Sequence, residues 1–268
     1  MIGDRPIDEP LGESSSHLTT SPPAPGTVPE STLDRLYNAL GSPDPHLREE
    51  IAAGTLSQLI VVERALSPAQ LRSLHGRACS DSGALHRIGE SGTDSVFGRS
   101  FSILLLAFIH AEDNRSQFLS GAEWEVGLET MIRYGESERD VRAQIPGCGW
   151  AHAIAHASDL ADELARSARC SRPAGRRILS ALRELVGRAE EPFGGEEEDR
   201  VGLALAALIN QRLISVEDVA REVPTTETEP GAAARANWKA IARALYFRLE
   251  DDTARQEAHA LQATLTVV

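Results

Sequence analysis

The amino-acid sequence predicts an all-α protein, and three observations support this prediction. Apolar residues make up 41 % of the 268 residues but aromatic residues only 4 %, so the core must consist mainly of aliphatic side chains such as Ala and Leu, which favour helices. From Ser31 onward, apolar residues recur every three or four positions, which is the spacing of one helical face. No segment shows the apolar–polar alternation of a half-buried strand.

Capping and breaking residues divide the chain into successive helices. Ser31 is expected to cap a first helix that ends at Gly41, and Ser67 followed by Pro68 begins a third. Asp94 is expected to cap a fourth helix, and the run from Pro146 to Gly149 breaks the chain sharply. The other helices are predicted at Pro45 to Ala65, Ala122 to Tyr134, Trp150 to about Ala168, Pro173 to Ala189, Glu197 to Arg212, Val216 to Glu222, Ala232 to Leu249 and Thr253 to Thr264.

Many helices joined by short loops predict stacked helical hairpins, as in a HEAT- or armadillo-like α-solenoid. A globular helical bundle is the alternative, because the sequence shows no clean fixed repeat length. Residues 1–30 are rich in Ser, Thr and Pro and are predicted to be a disordered N-terminal tail. Residues 31–268 are predicted to form a single helical-repeat-like domain.

Charge and cysteine content narrow the functional classes. The formal net charge of −13 repels phosphate backbones and argues against nucleic-acid binding. The three cysteines are far apart and form no Cys-x-x-Cys pair, which fits a reducing compartment. The N-terminus lacks a basic segment followed by an apolar one, and the longest apolar run, Ile103 to Ile109, is too short to span a bilayer. We therefore expect a cytoplasmic protein with no membrane segment.

The segment from Gly149 to Glu163 contains the most informative polar pattern. If it is helical, His152, His156 and Asp159 share one face, while Trp150 lies on the other. Two histidines four residues apart, followed by a carboxylate, can hold a divalent metal ion such as zinc, manganese, iron or nickel. The segment differs from the zinc-protease motif, because Ala153 occupies the position of the glutamate that acts as general base in that motif. A hydrogen-bonded polar cluster and an ordinary solvated face are the alternatives.

Two charged clusters are expected to extend this surface. Arg139, Asp140 and Arg142 precede the histidine segment, while Glu198, Asp199 and Arg200 begin a later helix. These residues are either loop-locking salt bridges or a pair of arginines that grips a small anionic ligand beside the histidines. Arg99 is expected to be solvated, and His75 and His110 have no ligand-like neighbours in the sequence.

Four pieces of sequence together resemble a bacterial family known as domain of unknown function 2785, with a Gly-Trp-Ala-His-x-x-Ala-His-x-x-Asp motif. The resemblance covers about residues 33–249. The pieces are Asp94 to Phe101, Glu138 to Arg142, Gly149 to His156 with Asp159, and Glu198 to Arg200. The resemblance implies a helical, HEAT-like fold in a cytoplasmic bacterial protein, and one site for its Arg, His and Asp residues. Ala143 departs from the family's usual glycine at that position.

Two functional hypotheses follow from different classes. The first is a groove that binds a small ligand or a metal, with His152 and His156 as ligands or acid–base groups. A hydrolase is one form of this hypothesis. The second is a non-catalytic scaffold for a protein partner. The resemblance implies no activity, so the sequence leaves both an enzyme and a binding protein open.

Overall fold

A computed structural model describes residues 26–223 and 232–264, and its helices confirm the all-α class. The segment α2 is one continuous helix that is π-helical at His46–Ala53, α-helical at Gly54–Ser57 and π-helical at Gln58–Val62. The other helices are α1 Glu30–Ala39, α3 Pro68–Cys79, α4 Ser95–Ser116, α5 Gly121–Ser137, α6 Ala153–Arg166, α7 Arg172–Gly187, α8 Glu197–Asn210, α9 Val216–Glu222, α10 Ala232–Tyr246 and α11 Asp252–Thr264. Within the described residues, the only strands are β1 Gln144–Ile145 and β2 Gly149–Trp150.

Local sequence explains where several helices begin. Helices α3, α5 and α9 each start with a capping box, in which a serine and the residue three positions later satisfy each other's free backbone N–H groups. The pairs are Ser67 with Gln70, Ser120 with Glu123, and Ser215 with Asp218. The predicted cap Ser31 is wrong, because Pro29 has the extended backbone of an N-cap and α1 has begun by Ser31. Asp94 does hold the N-cap position of α4, without a capping bond from its side chain.

The described chain begins in contact with the helices. The backbone N–H of Gly26 donates to the carbonyl of Ala65 at 2.8 Å, and the side-chain amide of Gln70 donates to the carbonyl of Val28 at 2.7 Å. Residues 26–29 therefore lie against the start of α3. The rest of the predicted tail, residues 1–25, lies outside the described residues.

The helices pack in two interleaved series. Helices α4, α6, α8 and α10 contact one another in that order, and α3, α5, α7, α9 and α11 form a second series. Most buried hydrophobic side chains between Leu33 and Leu261 belong to one hydrophobic core, and Val96, Phe97 and Ala151 form a second, small cluster. This order of contacts is the one expected for stacked helical hairpins, and the α-solenoid architecture itself stays a prediction.

Helix α4 forms the centre of the core. Among the described helices it alone has the length and apolar composition to cross a membrane, but 72 % of its most apolar stretch is buried inside the protein. That burial is typical of the core helix of a soluble protein. Because α4 packs extensively on α6, it provides a rigid wall beside the histidine segment.

Candidate functional site

The helix predicted to begin at Trp150 begins three residues later, because a hairpin precedes it. Strands β1 and β2 pair Gln144 with Trp150 and Ile145 with Gly149. Gly149 has a φ of +77°, and a Cβ there would lie 2.7 Å from Cβ of Pro45, so the turn requires glycine. Trp150 is therefore a strand residue, and its predicted place on the apolar face of α6 is wrong.

Two residues of α2 hold this hairpin in place. Arg48 is fully buried, and its Nη2 donates to the carbonyls of Cys148 at 2.6 Å and Trp150 at 3.2 Å. Its guanidinium lies 3.9 Å from the centre of the Phe97 ring, a cation–π arrangement. Glu49 accepts the backbone N–H of Trp150 at 3.1 Å. The position of Trp150 thus depends on residues about one hundred positions earlier.

His152 links the hairpin to α8. Its ring stacks on that of Trp150, with centroids 4.4 Å apart and an interplanar angle of 3°. Its backbone is left-handed, with a φ of +51°, which costs about 1–2 kcal/mol in a residue with a Cβ. Nδ1 of His152 lies 3.6 Å from Oε1 of Glu197, too far for a good hydrogen bond. Both atoms are buried without a hydrogen-bond partner in the described residues.

The tautomer of His156 follows from its neighbours. Ser100 donates its single hydroxyl proton to the carbonyl of Ala151, so the 2.8 Å contact between Oγ of Ser100 and Nδ1 of His156 requires a proton on Nδ1. The Nε2 atom then carries a free lone pair. Burial, with a further contribution from His152, lowers the pKa of His156 well below its usual value. His156 is therefore a neutral imidazole with one accepting nitrogen.

Asp159 is committed to Arg200 of α8. Its two carboxylate oxygens lie 2.7 and 2.9 Å from Nη1 of Arg200, and its side chain is 16 % exposed. Burial raises the pKa of Asp159, and the arginine opposes this shift. This pair joins α6 to α8 across the site.

A cavity of about 490 Å³ lies between α2, α4, α6 and α8, within the size range of small-molecule sites. We call it the α6 cleft. One wall is polar and comes from α6 and α8, while the facing wall of α2 and α4 is mainly apolar. The polar lining residues are Ser57, His152, His156, Asp159, Asp162, Glu163, Glu196 and Arg200, and the main apolar ones are Val61, Leu104, Ala107, Phe108, Ala111 and Leu203.

The upstream charged cluster lines a different cavity. Arg139, Asp140 and Arg142 border a space of about 410 Å³ together with the loop before α8. Buried Asp140 accepts Nε of Arg142 at 2.7 Å and Nη2 at 2.6 Å, and it also accepts the N–H of Gly92 at 2.9 Å. Asp140 and Arg142 thus form a loop-locking bridge rather than part of the α6 cleft.

The three predicted residues at the start of α8 diverge. Arg200 reaches the α6 cleft, whereas Asp199 accepts Nη2 of Arg248 at 2.8 Å and Glu198 lines neither cavity. The buried contact to His152 comes instead from Glu197, which belongs to the same acidic run but was not among the predicted site residues. Glu197 was missed because acidic residues in a first helical turn are ordinary.

The predicted metal ligands are not arranged as a metal site. Within the described residues, no group of three or more His, Cys, Asp or Glu side chains is close enough together to hold a metal ion. His156 uses Nδ1 on Ser100 and Asp159 uses both oxygens on Arg200. His156 and Asp159 therefore both form side-chain hydrogen bonds within the protein.

Arg99 is buried, and the expectation that it is solvated is wrong. Its Nε and Nη2 donate to the carboxylate of Glu138 at 2.6 and 2.9 Å, and both side chains have no exposed surface. Further bonds run from Nη1 to Ser95 and from Nη2 to the carbonyl of Glu90. This pair ties the start of α4 to the end of α5.

The chain belongs to a family described as protein of unknown function (DUF2785), whose model matches residues 85–247. The match contains α4 to α10 and ends before α11, and it therefore includes most of the α6 cleft. Residues 33–84, including the hairpin-holding Arg48 and Glu49, lie outside it. Nothing among the curated proteins or the solved structures matches the chain.

Proposed function

We propose that this protein binds a small molecule in the α6 cleft. The observation that supports this proposal is the free lone pair on Nε2 of His156. Ser100 and Ala151 hold the ring in one tautomer, and the ring borders a cavity of ligand size. His156 is 7 % exposed, and the Nε2 lone pair can accept a hydrogen bond from a molecule that enters the cleft. A bound hydrogen-bond donor would pair with this atom.

The proposal is for binding rather than hydrolysis. A serine–histidine pair becomes a nucleophile when the histidine accepts the serine proton. Here Ser100 is fully buried and donates its hydroxyl proton to the carbonyl of Ala151. His156 donates the proton on its Nδ1 to Oγ of Ser100, so it does not accept the serine proton. The neutral His156 could serve as a base only toward a molecule bound in the cleft.

The remaining parts of the proposal concern the whole chain. We infer that residues 31–268 act as one helical-repeat-like domain, supported by the main hydrophobic core from Leu33 to Leu261. The free thiols of Cys79, Cys148 and Cys170 support a reducing location such as the cytoplasm. The scaffold hypothesis stays a prediction. The α6 cleft has the volume of a small-molecule site and therefore favours the first hypothesis.

The test uses three probes with the same apolar body: cyclohexylamine, cyclohexanol and cyclohexanecarboxylate. Each is titrated into isotope-labelled protein while backbone amide signals are recorded. We expect at least one probe to shift the amides of Ala155, Arg200 and their neighbours in a saturable way. His156→Asn should weaken that binding, because asparagine can replace Nδ1 toward Ser100 but offers no group at the place of Nε2.

A matched pair of leucine variants controls for the location. Ala111 lines the cleft, so Ala111→Leu is expected to weaken binding at least about tenfold by filling the space. Ala122 is exposed in the first turn of α5, and Ala122→Leu should leave binding unchanged. Shifts scattered over the surface, or equal effects of the two variants, would refute a binding site in the α6 cleft.

A further inference from the structure

The α6 cleft has an unusual division between its two walls. On α6, the lining residues His156, Asp159, Asp162 and Glu163 follow one another at helical spacing, so their polar groups extend over about 10 Å along the helix axis. On α4, Leu104, Ala107, Phe108 and Ala111 repeat the same spacing and present an apolar strip. The cleft therefore has an acidic wall along α6 and an apolar wall along α4.

The acidic wall has unused acceptor atoms. Asp162 is 7 % exposed, and its Oδ2 accepts Nε of Arg166 at 2.9 Å, but its buried Oδ1 has no hydrogen-bond partner in the described residues. Glu163 likewise uses Oε2 on the amide of Asn114 at 2.9 Å. Each carboxylate therefore keeps one oxygen for a further donor.

His156 adds an independent acceptor to the same wall. It is 7 % exposed, and its Nε2 carries a lone pair because Nδ1 holds the proton. Burial disfavours the charged form of this imidazole. The wall therefore offers a carboxylate oxygen at Asp162, another at Glu163 and an imidazole nitrogen at His156, all of which can accept hydrogen bonds.

The charge of the lining selects among donors. Four carboxylates, from Asp159, Asp162, Glu163 and Glu196, face a single guanidinium, that of Arg200, which is already paired with Asp159. Arg166 compensates part of the charge of Asp162 from outside the lining. An anionic ligand would be repelled by this wall, whereas a cation would replace the water that burial has removed from the carboxylates.

The arrangement also favours an organic cation over a metal ion as the ligand. A metal requires several ligand atoms gathered around one point, and no such group exists in the described residues. Carboxylates spread along successive turns suit positive charges that are themselves spaced along a chain. The apolar strip of α4 suits the methylene groups between those charges.

Resting on the binding function proposed above, we propose that the α6 cleft takes an elongated aliphatic amine. Its methylene chain lies against Leu104 and Phe108, and its ammonium groups donate to Asp162, Glu163 and Nε2 of His156. The ligand class is that of linear diamines and polyamines, recognised by charge spacing rather than by a rigid ring.

Burial supports this assignment from the protein side. It raises the pKa of Asp162, against the opposing effect of Arg166, and it raises the pKa of Glu163, against the opposing effect of Asn114. The ionised forms of both groups are therefore under-stabilised in the empty cleft. A bound ammonium group stabilises the ionised forms and lowers both pKa values.

The test compares 1,6-diaminohexane, 1,6-hexanediol and hexanedioate by isothermal titration calorimetry with the full chain. These probes share six carbons and differ in charge. The expected result is saturable binding of the diamine alone, weakened about tenfold by Glu163→Gln and by Asp162→Asn, since each variant replaces one charged hydrogen bond. Glu217→Gln is the matched control, because Glu217 is an exposed carboxylate on α9.

The outcomes distinguish a failure of the amine assignment from a failure of the proposed binding function. Binding of the diol or the diacid in place of the diamine overturns the amine assignment but leaves the cleft as a binding site. Displacement of the diamine by an equal concentration of Mg²⁺ also overturns it, because the site would then respond to charge alone. If neither these probes nor the cyclohexyl probes bind, both proposals fail. Should Asp162→Asn not fold, Glu163→Gln carries the test.

Discussion

The buried imidazole of His110 makes the stability of this protein depend on pH, and His110→Gln is expected to remove part of that dependence. His110 is 1 % exposed, and its ring lies 5.4 Å from that of His75. A Cβ at Gly127 would lie 2.4 Å from Nε2 of His110, so the space is tightly filled. Burial, with smaller effects of His75 and Arg169, lowers the pKa of His110 from 6.5 to about 3.

The size of the effect follows from that shift. In the unfolded chain the imidazole regains its pKa of 6.5, so between pH 6.5 and about 3 the unfolded state binds a proton that the folded state does not. Stability is therefore complete above pH 6.5 and is lost as the pH falls below it. At about pH 5 the loss due to His110 is about 2 kcal/mol, at roughly 1.4 kcal/mol per pH unit.

Urea unfolding, followed by circular dichroism at about pH 7.5 and about pH 5, measures this loss. Between the two pH values, the parent should lose about 2 kcal/mol more than His110→Gln, because any packing defect of the variant is present at both. His46→Gln is the control, since that imidazole is 66 % exposed, and it should behave like the parent. If His110→Gln loses as much stability as the parent, a buried neutral imidazole is not the cause.

Two further predictions concern packing. Glu138→Ala should lower the free energy of unfolding by about 3–5 kcal/mol in urea titrations, because it leaves the guanidinium of Arg99 buried without its partner; a loss below about 1 kcal/mol would mean that water replaces the carboxylate. Gly135→Ala should cost about 1–3 kcal/mol, because its Cβ would lie 2.7 Å from that of Ala181. Gly187→Ala meets nothing within 4 Å and should leave the melting temperature nearly unchanged, so equal effects of the two substitutions would contradict the overpacking explanation.

The predicted helices agree with the structure where their signals are local. The predicted α9, Val216 to Glu222, matches its observed bounds, and α3 begins at the predicted Ser67-Pro68 pair. Capping boxes and apolar spacing involve residues within one or two turns, so the sequence contains all the information they need. The same locality explains why acidic Glu197 looked like an ordinary first-turn residue.

The histidine segment shows where local reading fails. The residues from Trp150 to His152 are compatible with a helix, but Gly147 and Gly149 adopt left-handed φ angles of +78° and +77° and form a hairpin. Arg48 and Glu49 stabilise that hairpin from far away in the sequence. His152 still lies beside His156, with ring centroids 5.6 Å apart, but through a strand and a strained cap rather than through one helical face.

The candidate site shows the same limit. His152, His156, Asp159 and Arg200 come together as the sequence suggested, whereas Arg139, Asp140 and Arg142 line a separate cavity. The burial of Arg99 depends on Glu138, 39 positions later. His75 of α3 and His110 of α4 are 35 positions apart, and their rings lie next to each other. The sequence of neither helix alone indicates this contact.

The sequence by itself determined the helical class, most helix boundaries and the residues that carry the family resemblance, because these depend on backbone propensity and short-range periodicity. Only the tertiary structure decided which polar groups are paired and which retain a free acceptor. It committed Asp159 to Arg200 and Nδ1 of His156 to Ser100, and among the described residues it left Oδ1 of Asp162 buried without a hydrogen-bond partner. Burial and pairing depend on contacts between distant segments, and the helical pattern of one segment does not encode the partner that another brings to it.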